Sequence, residues 1–305
     1  MPQRFIAAVD LGASNVRVAI ASSDGGIEAR RSAPYGGGTP EAVIDGIGRT
    51  IDDLVRGVWV GARVAAIGVC LPGSVDPASG TVSTAANLPG WGEVPIGRLL
   101  GGPRGVPVAM ENDANAAAVG ERWLGAARGL DDFIFIALGT GIGAGVVLDG
   151  KLHRGAHFLA GEVAFFPMTR EHLHHPGWDH CLEADAGGRA YAAKAAALLG
   201  DAAKPGDLFD AAAAGDKRAS AWLREVQDEL AMAIVDIAAL LDPQAIVFGG
   251  GVAMAQGERL LGPVREAALR CLPARPAIVL SELGADAQLL GAVRLALDRL
   301  AEQGR

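Results

Sequence analysis

Apolar residues recur along the chain at two spacings. FIAAVD (5–10), VRVAIAS (16–22) and IEARRSA (27–33) are short apolar or alternating runs that predict three strands, the last two joined by the turn Asp24-Gly25-Gly26. From Pro40 to about Arg56 the apolar positions Ala42, Val43, Ile47, Ile51 and Leu54 fall near helical spacing, which predicts an amphipathic helix. VAAIGVCLPG (64–73) reads as a buried strand entering a Pro-Gly turn, and VPVAMEN (106–112) as another strand. Asp113-Ala114-Asn115 then opens a helix, with Asp113 the expected N-cap.

The pattern then restarts. FIFIALG (133–139) is a buried strand ending in the loop GTGIG, and AGVVLDGKLH (144–153) a hairpin built on Asp149-Gly150. Helical stretches follow at roughly 184–199, 207–214 and 216–241. AIVFGGG (245–251) is a strand running into a glycine loop. A helix (257–271), a strand (277–280) and a last helix (286–302) complete the chain. Each half opens with a strand, a Gly-rich turn and a returning strand, VDLGASNVRVAI and ALGTGIGAGVVL. That repetition predicts an internal duplication and an α/β fold with two mixed sheets flanked by helices.

Composition narrows the class. The chain of 305 residues exceeds one typical domain, so two domains sharing a cleft are expected. Half of its residues are hydrophobic, enough for a full core, yet no apolar run is of membrane-spanning length and the N-terminus lacks a signal-peptide h-region. A net charge of −8 without a Lys/Arg cluster argues against a nucleic-acid surface. Cys70, Cys181 and Cys271 are too few and too scattered for a disulfide framework, so a cytoplasmic protein is expected.

Two features carry candidate chemistry. In the glycine loops, Gly12, Gly139, Gly141 and Gly143 permit positive φ and let a phosphate approach the backbone, while Ser14 and Thr140 add hydroxyl donors. Asp10, at a strand end beside such a loop, is placed to hold a metal-bound water. Any one loop alone reads better as a plain hairpin turn, and it is the three together, in this order, that point to phosphate. GxxxxGK[ST] is absent, and GTGIGAG precedes a hairpin instead of opening a helix, so neither a P-loop nor a dinucleotide fingerprint is present. The second feature is MENDANAAAVGERW (110–123). There Asn112-Asp113 end a strand and start a helix, whose N-terminus stabilises a carboxylate as the anion. Such a group suits proton acceptance from a substrate hydroxyl, although ENDAN alone could be only a cap.

Together, DLGASNVR (10–17), GVCLPGSVD (68–76), NLPGW (87–91), ENDANAAAVGE (111–121), GTGIGAGVVLDGKLHRGAHFLAGE (139–162), CLE (181–183) and FGGGV (248–252) resemble the ROK family. That family comprises sugar kinases and sugar-responsive repressors of the actin/hexokinase-like ATPase superfamily, and the resemblance runs from about residue 5 to 300. It implies two actin/hexokinase-like (ribonuclease H-like) domains, residues 1–115 with a C-terminal helix 289–305 and residues 116–288, closing around sugar. It also implies that Asp10, Gly12, Ser14, Asn15, Thr140 and Gly141 bind the phosphates of ATP, and that Gly250 and Gly251 form the adenosine site. Asp113 corresponds to the catalytic base. Gly73, Asn87, Asn112, Asp113, Glu162 and Glu183 correspond to sugar-binding positions, in keeping with the paired acceptors and donors that adjacent hydroxyls require. The implied cofactor is Mg²⁺ with ATP, and the implied assembly is a homodimer.

Two family features fail. The ExGH motif reads Glu162-Val163-Ala164-Phe165, and the zinc motif CxCGxxGCLE aligns with HHPGWDHCLE (174–183). His174 stands for the first Cys, Pro176 for the second, and Cys181 survives. Phe165 and Pro176 cannot ligate a metal, so a structural zinc is not expected, with His174, His180 and Cys181 its candidate ligands. Packing by Phe165, Phe166 and Trp178 is expected to support the loop instead. The expected activity is ATP-dependent phosphorylation of a hexose primary hydroxyl, glucose first. The alternatives are fructose, allose, N-acetylmannosamine or N-acetylglucosamine, or a non-catalytic sugar sensor. The sensor reading is opposed by the lack of room for a DNA-binding domain before the first strand.

Overall fold

The computed structural model describes residues 4–12, 14–77, 79–84, 88, 90–174 and 180–303. It divides into two units. Unit 1 comprises Met1–Gly125, Arg154–Leu159 and Asp286–Arg305, and unit 2 comprises Ala126–His153 and Ala160–Ala285.

Unit 1 begins β1 (Arg4–Leu11), β2 (Asn15–Ala21) and β3 (Ile27–Pro34), followed by α1 (Pro40–Val58) and β4 (Arg63–Leu71). The short pair β5 (Ser74–Asp76) and β6 (Thr81–Thr84) precedes α2 (Ile96–Gly101), β7 (Val108–Asn112) and α3 (Asp113–Leu124). Unit 2 repeats the opening with β8 (Phe133–Leu138), β9 (Ile142–Leu148) and β10 (Lys151–His153). Helices α4 (Leu182–Ala186), α5 (Gly188–Leu199), α6 (Pro205–Ala213) and α7 (Lys217–Leu241) come next. Then follow β11 (Ala245–Gly249), α8 (Gly251–Gln256), α9 (Glu258–Cys271) and β12 (Ala277–Leu280), and α10 (Ala287–Gln303) returns to unit 1.

The two five-stranded sheets have one topology. Their orders are β3-β2-β1-β4-β7 and β10-β9-β8-β11-β12. In each, the first three strands of the unit pair antiparallel and the last two join in parallel. This is the duplication expected from VDLGASNVRVAI and ALGTGIGAGVVL. Strand β1 shows why its sequence has no polar alternation: both faces are covered. Phe5, Ala7, Val9 and Leu11 pack into a core with Ile44, Ile47 and Ile51 of α1, whereas Ile6 and Ala8 pack with Leu289, Ala292 and Val293 of α10.

Local signals fix several element ends. Thr39 caps α1 by accepting from the Ala42 amide at 3.3 Å, with Pro40 at the first helical position. Asp149 (φ 51°) and Gly150 (φ 70°) form the left-handed pair that closes the β9–β10 hairpin, as the Asp-Gly dipeptide predicts. At α3 the expectation is corrected. The N-cap is Asn112, whose side chain accepts from the amides of Ala114 and Asn115 at 2.9 and 3.2 Å, and Asp113 is the first helical residue.

The sequence boundary near residue 115 is also displaced. Helix α3 packs on α10, and unit 1 continues to Gly125. The approach is at backbone distance: a Cβ on Gly291 would overlap the Ala116 carbonyl, and one on Gly120 the Ala287 carbonyl. Gly291→Ala must therefore push two helices apart. It is expected to cost about 2–3 kcal/mol as overpacking, read as a lower midpoint in urea unfolding. An unchanged midpoint would show that this contact yields freely.

Candidate functional site

In unit 1, Asp10 lies near the end of β1, opposite Arg17 on β2 and Cys70 on β4. It is almost fully buried and its Oδ2 accepts from Arg17 Nε at 2.7 Å. The Cys70 thiol donates to the Val9 carbonyl at 3.5 Å and lies 3.6 Å from Asp10 Oδ1. Burial pushes the Cys70 thiol well up, and the Asp10 and Asp113 carboxylates push it further, so it stays protonated. The adjoining loop is tight, with the Gly12 amide donating to the Asn15 carbonyl at 2.9 Å and the Tyr35 amide to the Ser14 carbonyl at 2.8 Å. Ser14 and Asn15 are both exposed.

The β7–α3 corner holds the rest of the unit 1 candidates. Asn112 spends its carbonyl oxygen on the α3 amides, while its Nδ2 donates to the Gly73 carbonyl at 3.2 Å. Gly73 has φ 111°, a conformation that its Pro72-Gly73 turn could reach only with glycine. Asp113 is therefore carried on a helix start pinned from both sides, with its Oδ1 also accepting from the Ala114 amide at 2.8 Å. Reasoning from sequence missed one member of this corner. Glu111 is 2% exposed, and its Oε2 accepts from Arg154 Nε at 2.7 Å. The available signal was an acid inside the apolar end of a strand. Asn87 lies outside the described residues.

In unit 2 the GTGIG loop joins β8 to β9. Gly12, Gly139 and Gly141 could permit positive φ, and none of the three adopts it. Gly143 is a strand residue paired with Ala137. A Cβ at 141 would displace the end of the Glu183 side chain, whose Oε2 accepts from the Ile142 amide at 2.8 Å. The loop's own carbonyls take up the first amides of α5, Gly188 N donating to Gly139 O at 2.9 Å and Arg189 N to Thr140 O at 3.1 Å. They thus satisfy helix-start donors that would otherwise lack partners. Gly250 has φ 88°, and a Cβ on it would meet the Leu138 carbonyl at 2.5 Å. At Gly251 a Cβ meets nothing within 4 Å.

Glu162 follows Gly161, whose φ of 91° and contact with the Ala144 carbonyl exclude a side chain. Burial, and after it the charge of Glu183, raises the Glu162 carboxyl above the usual glutamate range. The segment carrying Glu183 is tied back by Leu182 N donating to Phe166 O at 3.0 Å and by a bridge between Pro167 and Cys181. Phe166 packs on the core as expected, but Phe165 is 45% exposed, so it is not the buried prop that the sequence suggested. The reason is its position at the end of a single 3₁₀ turn, Val163–Phe165, whose Val163 and Ala164 take the buried side. Trp178 lies outside the described residues. Cys181 is buried, whereas His174 and His180 are exposed, and among the described residues no group of three potential ligands converges.

A second carboxylate cluster in unit 2 has a pH signature. Burial, then the charges of Asp185 and Glu225, raises Glu229 from 4.5 to about 7, and its Oε2 is buried without a hydrogen-bond partner among the described residues. Folded Glu229 keeps its proton up to about pH 7, whereas an unfolded glutamate releases it near 4.5. The folded state thus holds the extra proton between those values, and stability falls as pH rises through that window. Because Glu229 is only half-buried, solvent screening limits this to about 1 kcal/mol. Glu229→Gln is expected to flatten the fall in melting temperature between pH 5 and 8. A variant whose melting temperature falls as steeply as the wild type's would remove Glu229 as the cause.

A family model described as the ROK family matches residues 6–299. The glucokinase of Thermotoga maritima is 32% identical over 98% of this chain and 99% of its own length. The N-acetylmannosamine kinase of Escherichia coli O157:H7 is 33% identical over 82% of this chain and 84% of its own. Among solved structures, that of a ROK family glucokinase from Streptomyces griseus in complex with glucose and AMPPNP matches with a TM-score of 0.78 and 32% identity, covering 96% of this chain and 99% of that one.

Proposed function

The chain belongs to the ROK family, and from that premise we propose that it is an ATP-dependent hexose kinase acting on glucose, with Asp113 as general base. The observation that carries this reading is near-complete coverage of both chains in the match to a glucokinase whose structure holds glucose and an ATP analogue. Neither half of a kinase fold is missing. The local chemistry agrees. Phosphoryl transfer needs positioning, charge neutralisation and one proton acceptor. Asp113, an acid on the first turn of α3, is that acceptor, taking the proton of the sugar's primary hydroxyl. Asn112, Glu162 and Glu183, with Gly73 and Asn87, hold the remaining hydroxyls. The loops at Asp10, Gly12, Ser14 and Asn15 and at Thr140 and Gly141 receive the phosphates, and Gly250 and Gly251 the adenosine.

Asp10 is a hard-oxygen ligand of the kind Mg²⁺ selects, and Ser14 and Thr140 supply exposed hydroxyls for phosphate. Mg²⁺ would neutralise charge on the transferring phosphoryl group, and Asp10 would hold its water. In the described structure Asp10 is paired with Arg17, which keeps its carboxylate oriented at the strand end. A homodimer belongs to the same reading and rests on the family resemblance.

The second reading, an N-acetylhexosamine as acceptor, is favoured by the similarity to an N-acetylmannosamine kinase. Release of ADP with Mg-ATP, measured over glucose, fructose, allose, N-acetylmannosamine and N-acetylglucosamine, separates the two. Glucose is expected to give the highest kcat/KM. A preference for N-acetylmannosamine would overturn the assignment of glucose, and no turnover with any of the sugars would overturn the kinase.

A further inference from the structure

The Asn112–Asp113 corner contains an ion pair between a buried carboxylate and a partly exposed guanidinium that the roles above do not use. Glu111 is 2% exposed, and each of its oxygens is engaged. Oε1 accepts from the Asn112 amide and from Asn115 Nδ2, both at 3.0 Å, and Oε2 accepts from Arg154 Nε at 2.7 Å. Arg154 is delivered by the short segment Arg154–Leu159, which belongs to unit 1 although it follows β10 of unit 2 along the chain.

For stability this arrangement is a poor choice. Burying the Glu111 carboxylate costs desolvation that its partly exposed partner offsets only in part, and apolar residues of similar volume often match such a pair. Asn115 adds to the cost: it is 5% exposed, and its Oδ1 has no hydrogen-bond partner among the described residues. An apolar strand end and an alanine at 115 would avoid both costs. What the polar network supplies is direction. Through one carboxylate it fixes the amide of Asn112, the side chain of Asn115 one turn into α3, and thereby the backbone on both sides of Asp113.

We propose that Glu111 and Arg154 are a positioning pair for phosphoryl transfer, holding the Asn112–Asp113 corner so that the Asp113 carboxylate meets the substrate hydroxyl in one orientation. The proposal rests on the kinase reading. Neither residue is assigned contact with substrate.

The test uses the full chain as wild type, Glu111→Gln, Arg154→Met, the double variant and Arg154→Lys, each assayed for kcat, sugar KM and melting temperature. Each uncharged single variant is expected to lower kcat about 30-fold, the scale of a slightly displaced catalytic group, with sugar KM within about threefold of wild type. Arg154→Lys keeps the charge and is expected to recover part of the lost kcat. The double variant contains no unpaired buried charge, so its melting temperature should return towards wild type. Its kcat should stay low, because nothing then orients the corner. A merely structural pair behaves differently, with kcat in the double variant returning together with stability. A double variant within about threefold of wild-type kcat would overturn the positioning role, as would single variants that change only KM. Absence of sugar phosphorylation by the wild type is a separate result and refutes the kinase reading itself.

Discussion

Asp113→Asn is expected to lower kcat about 1,000-fold, within the range for loss of a general base, while sugar affinity changes little. The structure makes this a clean substitution. Asn112, not Asp113, caps α3 through the amides of Ala114 and Asn115, so the helix start survives the change. Oδ1 of Asp113 accepts from the Ala114 amide at 2.8 Å, a bond that an asparagine carbonyl can accept too. Removed are the negative charge and the proton acceptor. Steady-state kinetics with glucose, alongside sugar titration followed by intrinsic fluorescence, measure both quantities. Turnover near the wild-type value would mean that Asp113 is not the base. Asn112→Ala is the informative contrast, because it removes the cap at a cost of about 1 kcal/mol to the protein.

The second large effect is expected at Gly141→Ala. The added methyl would occupy the position of Glu183 Oε2, so the carboxylate must leave the Ile142 amide that it accepts from at 2.8 Å. Glu183 and the GTGIG loop then lose their mutual support. Under the proposed roles one methyl disturbs a phosphate loop and a sugar-binding carboxylate together. The expected consequence is a fall in kcat/KM of about 100-fold or more, seen in the KM for ATP as well as for sugar. The loop lies between strands whose cores are untouched, so the melting temperature should move little. Gly251→Ala serves as the control for stability, since a Cβ there meets nothing within 4 Å. Unaltered kinetics in Gly141→Ala would show that the bond between Glu183 and the loop has no part in turnover.

What was legible in the sequence follows from the range of the forces involved. The strands of both sheets and helices α1, α7 and α10 announce themselves through period and turn residues. The repeated strand–glycine–strand opening anticipated an internal duplication with two mixed sheets, and the structure gives both the same order. Short elements contain too few turns to show a period: α8 spans only Gly251–Gln256, ending where Gly257 takes φ 54°. Adjacent capping residues are ambiguous in sequence, and the choice between Asn112 and Asp113 was decided by backbone geometry that no propensity specifies. The glycines of GTGIG stand out in the sequence because glycine permits positive φ and a close phosphate approach. Their conformations are ordinary, and at Gly141 a side chain would have to displace the carboxylate of a residue 42 positions away. Glu111 and Arg154 stand 43 positions apart in the chain, so their pairing is a tertiary event. The same holds for α3 against α10, where the backbones meet at Gly120 and Gly291 and shift the boundary of the first unit to Gly125.

The central claim is phosphoryl transfer from ATP to a hexose primary hydroxyl. Phosphorus NMR of the protein incubated with Mg-ATP and glucose observes that transfer directly. The account predicts a sugar 6-phosphate resonance growing in step with ADP, and its loss with Asp113→Asn. Conversion of ATP to ADP and inorganic phosphate without any sugar phosphate would contradict it.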